Sequence, residues 1–311
     1  MPSPIIVIGS SNTDMVVKVS QLPKPGETVL GGDLFMTAGG KGANQAVAAA
    51  RLGGNVSFVA RLGNDIFGKQ AHASFGNENM DLSKLSFDES RPSGVALIVV
   101  NNGGENSITV APGANGALRS SHVSDALHDI SPPAIVLLQM EIPMDTVASA
   151  IDLASDKKLQ VILNPAPAQR VDKRLLSKLD WITPNETEAE ILTGVHVTDV
   201  HSARNAAVSL RRSGVRNVVL TLGAKGAFLL TDEFDGMIAA PPASAVVDTT
   251  AAGDCFNGAL AVALSEGLSA ESACRFACCA ATLSVARLGA QASMPSREEV
   301  EAVLSSNQIK S

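Results

Sequence analysis

Six short apolar runs recur along this 311-residue chain: Ile5 to Gly9, Ala134 to Met140, Gln160 to Leu163, Trp181 to Thr183, Asn217 to Leu222 and Ala227 to Leu230. A strand with one wet face alternates apolar and polar residues. A continuous run instead predicts a strand covered on both faces, as in a parallel sheet. Between many of these runs lie segments of helical character: Ala43 to Leu52, Thr146 to Ser155, Thr187 to Thr193 and Ser202 to Ser213. This alternation predicts an α/β fold, a three-layer, mostly parallel sheet flanked by crossover helices.

Two stretches depart from the alternation. Met15 to Leu22 and Thr28 to Thr37 flank Pro23-Lys24-Pro25-Gly26, and Val95 to Val100 and Ser107 to Ala111 flank Asn101-Asn102-Gly103-Gly104. Each reads as a hairpin with turn residues at its tip. They fit either a small separate sheet covering a site as a lid or extra edge strands on the main sheet. The expected organisation is one α/β domain over residues 1–311, with lid inserts at about 12–40 and 92–112. Near the C-terminus, Cys255 to Glu266 and Ala270 to Leu288 predict two helices separated by Gly267, and 307–311 a frayed tail.

With 45% hydrophobic residues the chain can bury a sizeable core. A formal net charge of −7 and the lack of a basic stripe argue against nucleic-acid binding. No signal peptide and no apolar run of bilayer length are apparent. The four cysteines, Cys255, Cys274, Cys278 and Cys279, cluster late in the chain, a poor disulfide framework that suits a reducing cytoplasm.

The chemistry concentrates in Asp248-Thr249-Thr250-Ala251-Ala252-Gly253-Asp254, immediately before an apolar helix. Small residues ahead of a helix leave backbone N–H groups exposed at its positive end, a geometry that binds anions. Asp254 reads either as a helix cap or as a base beside a bound phosphate. A cap needs one good residue, whereas a phosphate cradle needs several without bulk, and this run has them. A second segment, Ala38-Gly39-Gly40-Lys41-Gly42-Ala43-Asn44, opens a helix with Lys41 and Asn44 in its first turn. Gly42 follows Lys41 where a Walker A loop has Ser or Thr. No Gly-x-Gly-x-x-Gly follows the first strand, which argues against a dinucleotide site. An ordinary glycine-rich turn remains the alternative for this segment.

Together these segments resemble the two signatures of the ribokinase-like (PfkB) carbohydrate kinase family. The resemblance runs nearly end to end and includes Gly9-Ser10-Ser11-Asn12-Thr13-Asp14, Gly39 to Ala46, Asn164-Pro165-Ala166-Pro167-Ala168 and Thr183-Pro184-Asn185-Glu186-Thr187-Glu188. It implies ATP-dependent phosphorylation of D-ribose at its 5-hydroxyl, in preference to fructose, adenosine or a 2-keto sugar. By the same resemblance, Asp254 is the general base and Ala251, Ala252 and Gly253 the anion hole. Asn12, Asp14, Gly40, Lys41, Asn44 and Glu141 would bind the sugar. Asn185, Thr221, Gly223, Lys225, Gly226, Gly253 and Cys278 would bind ATP. Glu188 would hold Mg²⁺ through water, while Asp248, Thr250, Ser284, Arg287, Gly289 and Ser293 would surround an activating K⁺. A homodimer paired through its lid sheets is implied as well. Two departures are Cys278, where relatives often carry a polar side chain near adenine, and Cys255, directly after the implied base. Alternatives to a ribose kinase are a kinase of another sugar or nucleoside and a non-catalytic sugar or nucleotide sensor on the same fold.

Overall fold

The computed structural model describes residues 2–308. Numbered in chain order, the main sheet contains β1 (Ile5–Ile8), β4 (Val56–Val59), β9 (Ile135–Leu138), β10 (Gln160–Leu163), β11 (Trp181–Ile182), β12 (Asn217–Thr221), β13 (Ala227–Leu230) and β14 (Asp235–Ile238). Their order is β14-β13-β12-β11-β10-β9-β1-β4. The pairs from β4 to β12 are parallel, and β13 and β14 continue the sheet antiparallel. A second sheet of four strands has the order β3-β2-β7-β8, with β2 (Asn12–Val19), β3 (Leu34–Gly39), β7 (Gly94–Asn101) and β8 (Asn106–Ala111). β5 (Arg61–Gly63) and β6 (Ser86–Asp88) pair separately.

The helices are α1 (Lys41–Arg51), α2 (Ile66–Gly76), α3 (Ser120–Leu127), α4 (Met144–Asp156), α5 (Lys173–Leu176), α6 (Glu186–Thr193), α7 (Val200–Arg212), α8 (Ala252–Ser265), α9 (Ala270–Ser284) and α10 (Arg297–Gln308). They enclose two cores, one on each face of the main sheet. Ile5 and Val7 of β1 enter the core shared with α1, α8 and α9, while Ile6 and Ile8 enter the core shared with α3, α4 and α7. Ile135 and Leu137 of β9 divide from Val136 and Leu138 in the same way. Burying each such side chain contributes about 1.5–3 kcal/mol. A polar residue at either parity would forfeit that, which is why these strands read as unbroken apolar runs.

Several expected boundaries shift. Residues 28–33 do not join the first hairpin: β2 pairs with β3 from Val17↔Leu34 to Asn12↔Gly39, so 20–33 forms a long connection. Pro23 and Pro25 lack ladder donors, and Gly31-Gly32 disfavours a strand. The second hairpin has a tight end, where Asn101 Oδ1 accepts from the amides of Gly103 and Glu105, each at 2.9 Å. β2 and β7 then join the two hairpins in parallel. Helix α9 stops at Ser284, not Leu288, and the Val285 carbonyl instead accepts the amides of Val247 and Asp248. The tail expected over 307–311 falls mostly outside the described residues, with α10 continuing to Gln308. No helix among the described residues is long and apolar enough to cross a membrane.

Candidate active site

The site begins where α1 crosses α8. A Cβ on Gly258 would lie 2.7 Å from both the Gln45 carbonyl oxygen and Ala48 Cβ, so the helices meet almost backbone to backbone. Asp254 lies one turn before Gly258 on the same face of α8. It is therefore held against the start of α1. Asn44 Nδ2 donates to Asp254 Oδ2 at 2.9 Å, and Gln45 Nε2 donates to Oδ1, also at 2.9 Å. Asp254 is only 5% exposed. Burial pushes its carboxyl above the ordinary range, while the Lys41 charge and the two amide donors oppose that shift. Asn44 Oδ1 is buried and accepts from no described protein group. It is an acceptor available to a ligand hydroxyl.

Helix α8 starts abruptly. Its N-cap, Ala251, has φ 61°, a left-handed conformation uncommon outside glycine. Among the described residues, the amides of Ala251, Gly253 and Asp254 donate to no protein acceptor, while that of Ala252 reaches the Thr249 carbonyl at 3.3 Å. Exposed N–H groups at a helix start attract anions. Beyond its chain neighbours and the local helix backbone, no heavy atom lies within 4 Å of a Cβ built on Gly253. That open space belongs to a polar cavity of about 190 Å³, lined by Lys41, Asn185, Glu188, Thr221, Ala251 to Asp254, and Asn257, with further contributions from the segments that follow β10 and β11.

A second set of acids lies toward the small sheet. Asp14 is buried behind Gly39, and burial, together with the Glu141 and Asp254 charges, raises its carboxyl to about 6 despite the opposing Lys41. Glu141 Oε2, directly after β9, accepts from Ser10 Oγ at 2.6 Å and from the Lys41 amide at 3.0 Å. Asn115 Nδ2 donates to Asn12 Oδ1 at 2.8 Å, and Asn115 Oδ1 accepts from the Ser11 amide at 2.9 Å, fixing the β1–β2 connection. Gly40 stands at the N-cap of α1 with φ 89°. Burial alone would lower the Lys41 ammonium. The carboxylates of Asp254, Glu141, Glu188 and Asp14 outweigh it and hold the group above its usual value.

Asp14 makes a stability prediction. Its folded-state value lies above the unfolded one, so its contribution to stability is complete below about pH 4 and is lost as pH rises through about 6. A displacement of this size corresponds to a contribution on the order of 3 kcal/mol. Asp14→Asn, neutral at every pH, should flatten the fall in denaturant-measured stability between pH 4 and 7. An unchanged slope would reject the assignment.

On the other side of the cavity, Asn185 caps α6. Its Oδ1 accepts from the Glu188 amide at 2.9 Å, and Glu188 Oε2 accepts from the Asn185 amide at 2.9 Å. The capping box and the cavity wall are thus the same residues. Burial raises the Glu188 carboxyl, against the Asn185 bond and Lys41. Thr221 bridges to Asn185 at the end of β12, and Gly223, Lys225 and Gly226 form the turn into β13. Gly226 has a packing reason of its own, since a Cβ there would lie 2.1 Å from the Ile238 carbonyl oxygen. Cys278 is not brought to the cavity. It is buried in α9 beside Cys274, whose thiol is shifted upward mainly by their mutual hydrogen bond. The Cys255 thiol is pushed up to about 12 by burial, matching a buried, inert residue rather than an activated one.

Asp248 ties two loops together, accepting from the Thr250 amide and the Gly289 amide, each at 2.9 Å. Those bonds outweigh burial and keep its carboxyl below the usual range. The hydroxyls of Ser284 and Ser293 donate to the carbonyls of Ala281 and Ala290, each at 2.8 Å, while Arg287 pairs with Glu299. The Ser284 and Ser293 hydroxyls and the Arg287 guanidinium are thus engaged with other protein groups.

The model of the pfkB family of carbohydrate kinases matches residues 3–297. The chain belongs to this family. It is 44% identical to a ribokinase of Haemophilus influenzae over 96% of this chain and 97% of that protein. It is 37% identical to a deoxyribokinase of Salmonella typhi over 98% and 99% of the two chains. The structure of an Arabidopsis thaliana ribokinase complexed with ribose and ATP superposes with a TM-score of 0.89 at 36% identity, covering 98% of this chain and 99% of that one. The predicted α/β fold with flanking helices is therefore that of the pfkB family, its sheet mixed at one edge. Asn44 and Asp254 are legible from the sequence motifs, whereas Ser10, Gln45, Asn115, Gln139 and Asn257 take their place in the site only through the fold. Ser10 and Gln45 stand inside the quoted motifs. Nothing in the sequence near Asn115, Gln139 or Asn257 marks their partners.

Proposed function

We propose that this chain transfers the γ-phosphoryl group of ATP to the 5-hydroxyl of D-ribose, giving ribose 5-phosphate and ADP. The observation that carries the reading is the meeting, at one helix start, of a buried carboxylate and free main-chain donors beside open space. The sugar lies between Asp14, Asn44 and Glu141. Ionised Asp14 accepts bonds from a vicinal diol, and Asn44 Oδ1 accepts from a hydroxyl. The 5-hydroxyl attacks phosphorus while its proton passes to Asp254. The P–O bond to ADP breaks, with negative charge developing on oxygens held by the free amides of Ala251, Gly253 and Asp254, the Ala252 amide being turned to the Thr249 carbonyl. Lys41, set among carboxylates, supplies the compensating charge.

On the nucleotide side, Asn185, Thr221, Gly223 and Lys225 flank the phosphates, with Gly226 shaping the turn and Cys278 contributing only from the core. Glu188 lines the cavity with each carboxylate oxygen accepting one bond from Asn185, leaving its remaining lone pairs for the waters of a Mg²⁺ ion. When bound, Mg²⁺ shields the polyphosphate. Asp248, with main-chain carbonyls near Thr250, Ser284, Arg287, Gly289 and Ser293, suits K⁺. The four-stranded sheet serves as a lid that excludes water from the transfer. Leu34, Phe35 and Met36, adjacent on β3, are all more than half exposed, so both faces of this sheet carry uncovered apolar surface. One face suits the sugar site and the other a second copy of the chain, supporting a homodimer paired through the lids. A reducing cytoplasm suits the four free cysteines.

The 37% identity to a deoxyribokinase over nearly the whole length of both chains gives 2-deoxyribose as the second reading of the acceptor. An acceptor panel with ATP and Mg²⁺ tests this: ribose, 2-deoxyribose, fructose and adenosine, with the product's phosphate position read by ³¹P NMR. The proposal expects ribose to have the highest kcat/KM. A higher value for 2-deoxyribose favours the second reading, and no turnover on any sugar overturns both.

A further inference from the structure

Gln45 and Gln139 are both fully buried, and neither carries a role in the reaction described above. Gln45 Nε2 donates to Asp254 Oδ1 at 2.9 Å and to Asn164 Oδ1 at 3.0 Å. Behind it, Gln139 Nε2 donates to Gln45 Oε1 at 2.7 Å. The chain continues beyond Asn164. Asn164 Nδ2 donates to the Thr183 carbonyl, Thr183 Oγ1 to Asn257 Oδ1 at 2.6 Å, and Asn257 Nδ2 to the Gly253 carbonyl at 2.8 Å. One buried polar chain therefore links the carboxylate to the first turn of α8.

We infer that Gln45, oriented by Gln139, is a positioning residue that locks the rotamer of the Asp254 carboxylate against the incoming alcohol. The direction of the bonds supports this. An ionised carboxylate only accepts, so Gln45 must turn its NH₂ toward Asp254 and its carbonyl toward Gln139. Gln139 must then donate, and its Oε1 is left buried with no donor among the described residues. A buried unsatisfied acceptor is costly, and an apolar residue at 139 would avoid it. Its presence places the orienting of Gln45 above local satisfaction. With Oδ1 held by Gln45 and Oδ2 held by Asn44, the carboxylate has two fixed anchors, and its remaining lone pairs face the site.

The inference rests on Asp254 being the base. The test compares pH profiles of kcat for the unchanged protein, Gln45→Met, Gln139→Met and Asp254→Asn, using whichever sugar proves to be the acceptor. Gln45→Met should lose tenfold or more in kcat, with KM for sugar and ATP within threefold. The acidic limb of its profile should move to higher pH, because a donor that stabilised the ionised carboxylate is gone. Lys41, Glu141, Glu188 and Asp14, the other charged groups facing Asp254, are unchanged by this substitution. Gln139→Met, which leaves both bonds to Asp254 possible, should shift kcat and the limb in the same directions by less. A folded Gln45→Met with kcat within twofold and an unmoved limb overturns the inference, as does a loss confined to KM. If Gln45→Met does not fold, Gln139→Met decides by the same two readouts. Full activity in Asp254→Asn would instead remove the base reading on which the inference stands.

Discussion

Asp254→Asn is expected to lower kcat by about 10²–10⁴-fold, the usual contribution of a positioned base, while KM for sugar and ATP changes only a few-fold. The asparagine has nearly the same shape and remains at the α1–α8 crossing, where Gly258 fixes the helix separation. Two properties are lost. The amide cannot take the hydroxyl proton, and it offers a single oxygen to the two donors, Asn44 Nδ2 and Gln45 Nε2, that now bond separate oxygens. Burial holds the Asp254 carboxyl above its ordinary range, so activity should fall as pH drops and the group becomes protonated. Steady-state kinetics on both substrates, with isothermal titration of sugar binding, separates turnover from affinity. Near-normal kcat in this variant would remove Asp254 from the proton transfer.

Gly253→Ala should have opposite effects on stability and activity. Beyond its chain neighbours and the local helix backbone, no atom lies within 4 Å of the added methyl group, and alanine is worth up to about 1 kcal/mol over glycine inside a helix. The melting temperature should therefore hold or rise slightly. The methyl group would stand in the cavity beside the free Gly253 amide, where the phosphoryl oxygens are proposed to lie. Loss of one such donor typically costs about 10²–10³-fold in kcat. Thermal denaturation and kcat measured on the same preparation distinguish the readings. A variant at least as stable as the parent but nearly inactive indicates that the glycine keeps space for a ligand. One that is destabilised, with unchanged kcat, would mean that the fold alone requires it.

The central strands were legible because each is covered twice: β1 and β9 send alternate residues into different cores, so their sequences are apolar throughout. β14, Asp235-Gly-Met-Ile, lies at the sheet edge with only its last residue fully buried, and no run marks it. The 20–33 connection was misread because Thr28 to Thr37 contains strand-like residues, and the effect of Gly31-Gly32 appears only in the pairing register. In the site, small residues before an apolar helix were sufficient to find Ala251 to Asp254, since that chemistry depends on local backbone. Gln45 was present in a motif but had no stated partner, and Gln139 was not singled out. Their hydrogen bonds join residues far apart in sequence, through a helix crossing that composition does not encode. Arg287 was assigned by position alone, and its side chain turns to Glu299.

The most direct measurement is a crystal structure of the protein with ribose and a non-hydrolysable ATP analogue. The ribose 5-oxygen is expected about 2.6–3.2 Å from an Asp254 carboxylate oxygen, with γ-phosphoryl oxygens on the Gly253 and neighbouring free amides. A sugar bound with its 5-hydroxyl turned away from Asp254, or a terminal phosphate seated away from the start of α8, would contradict this arrangement.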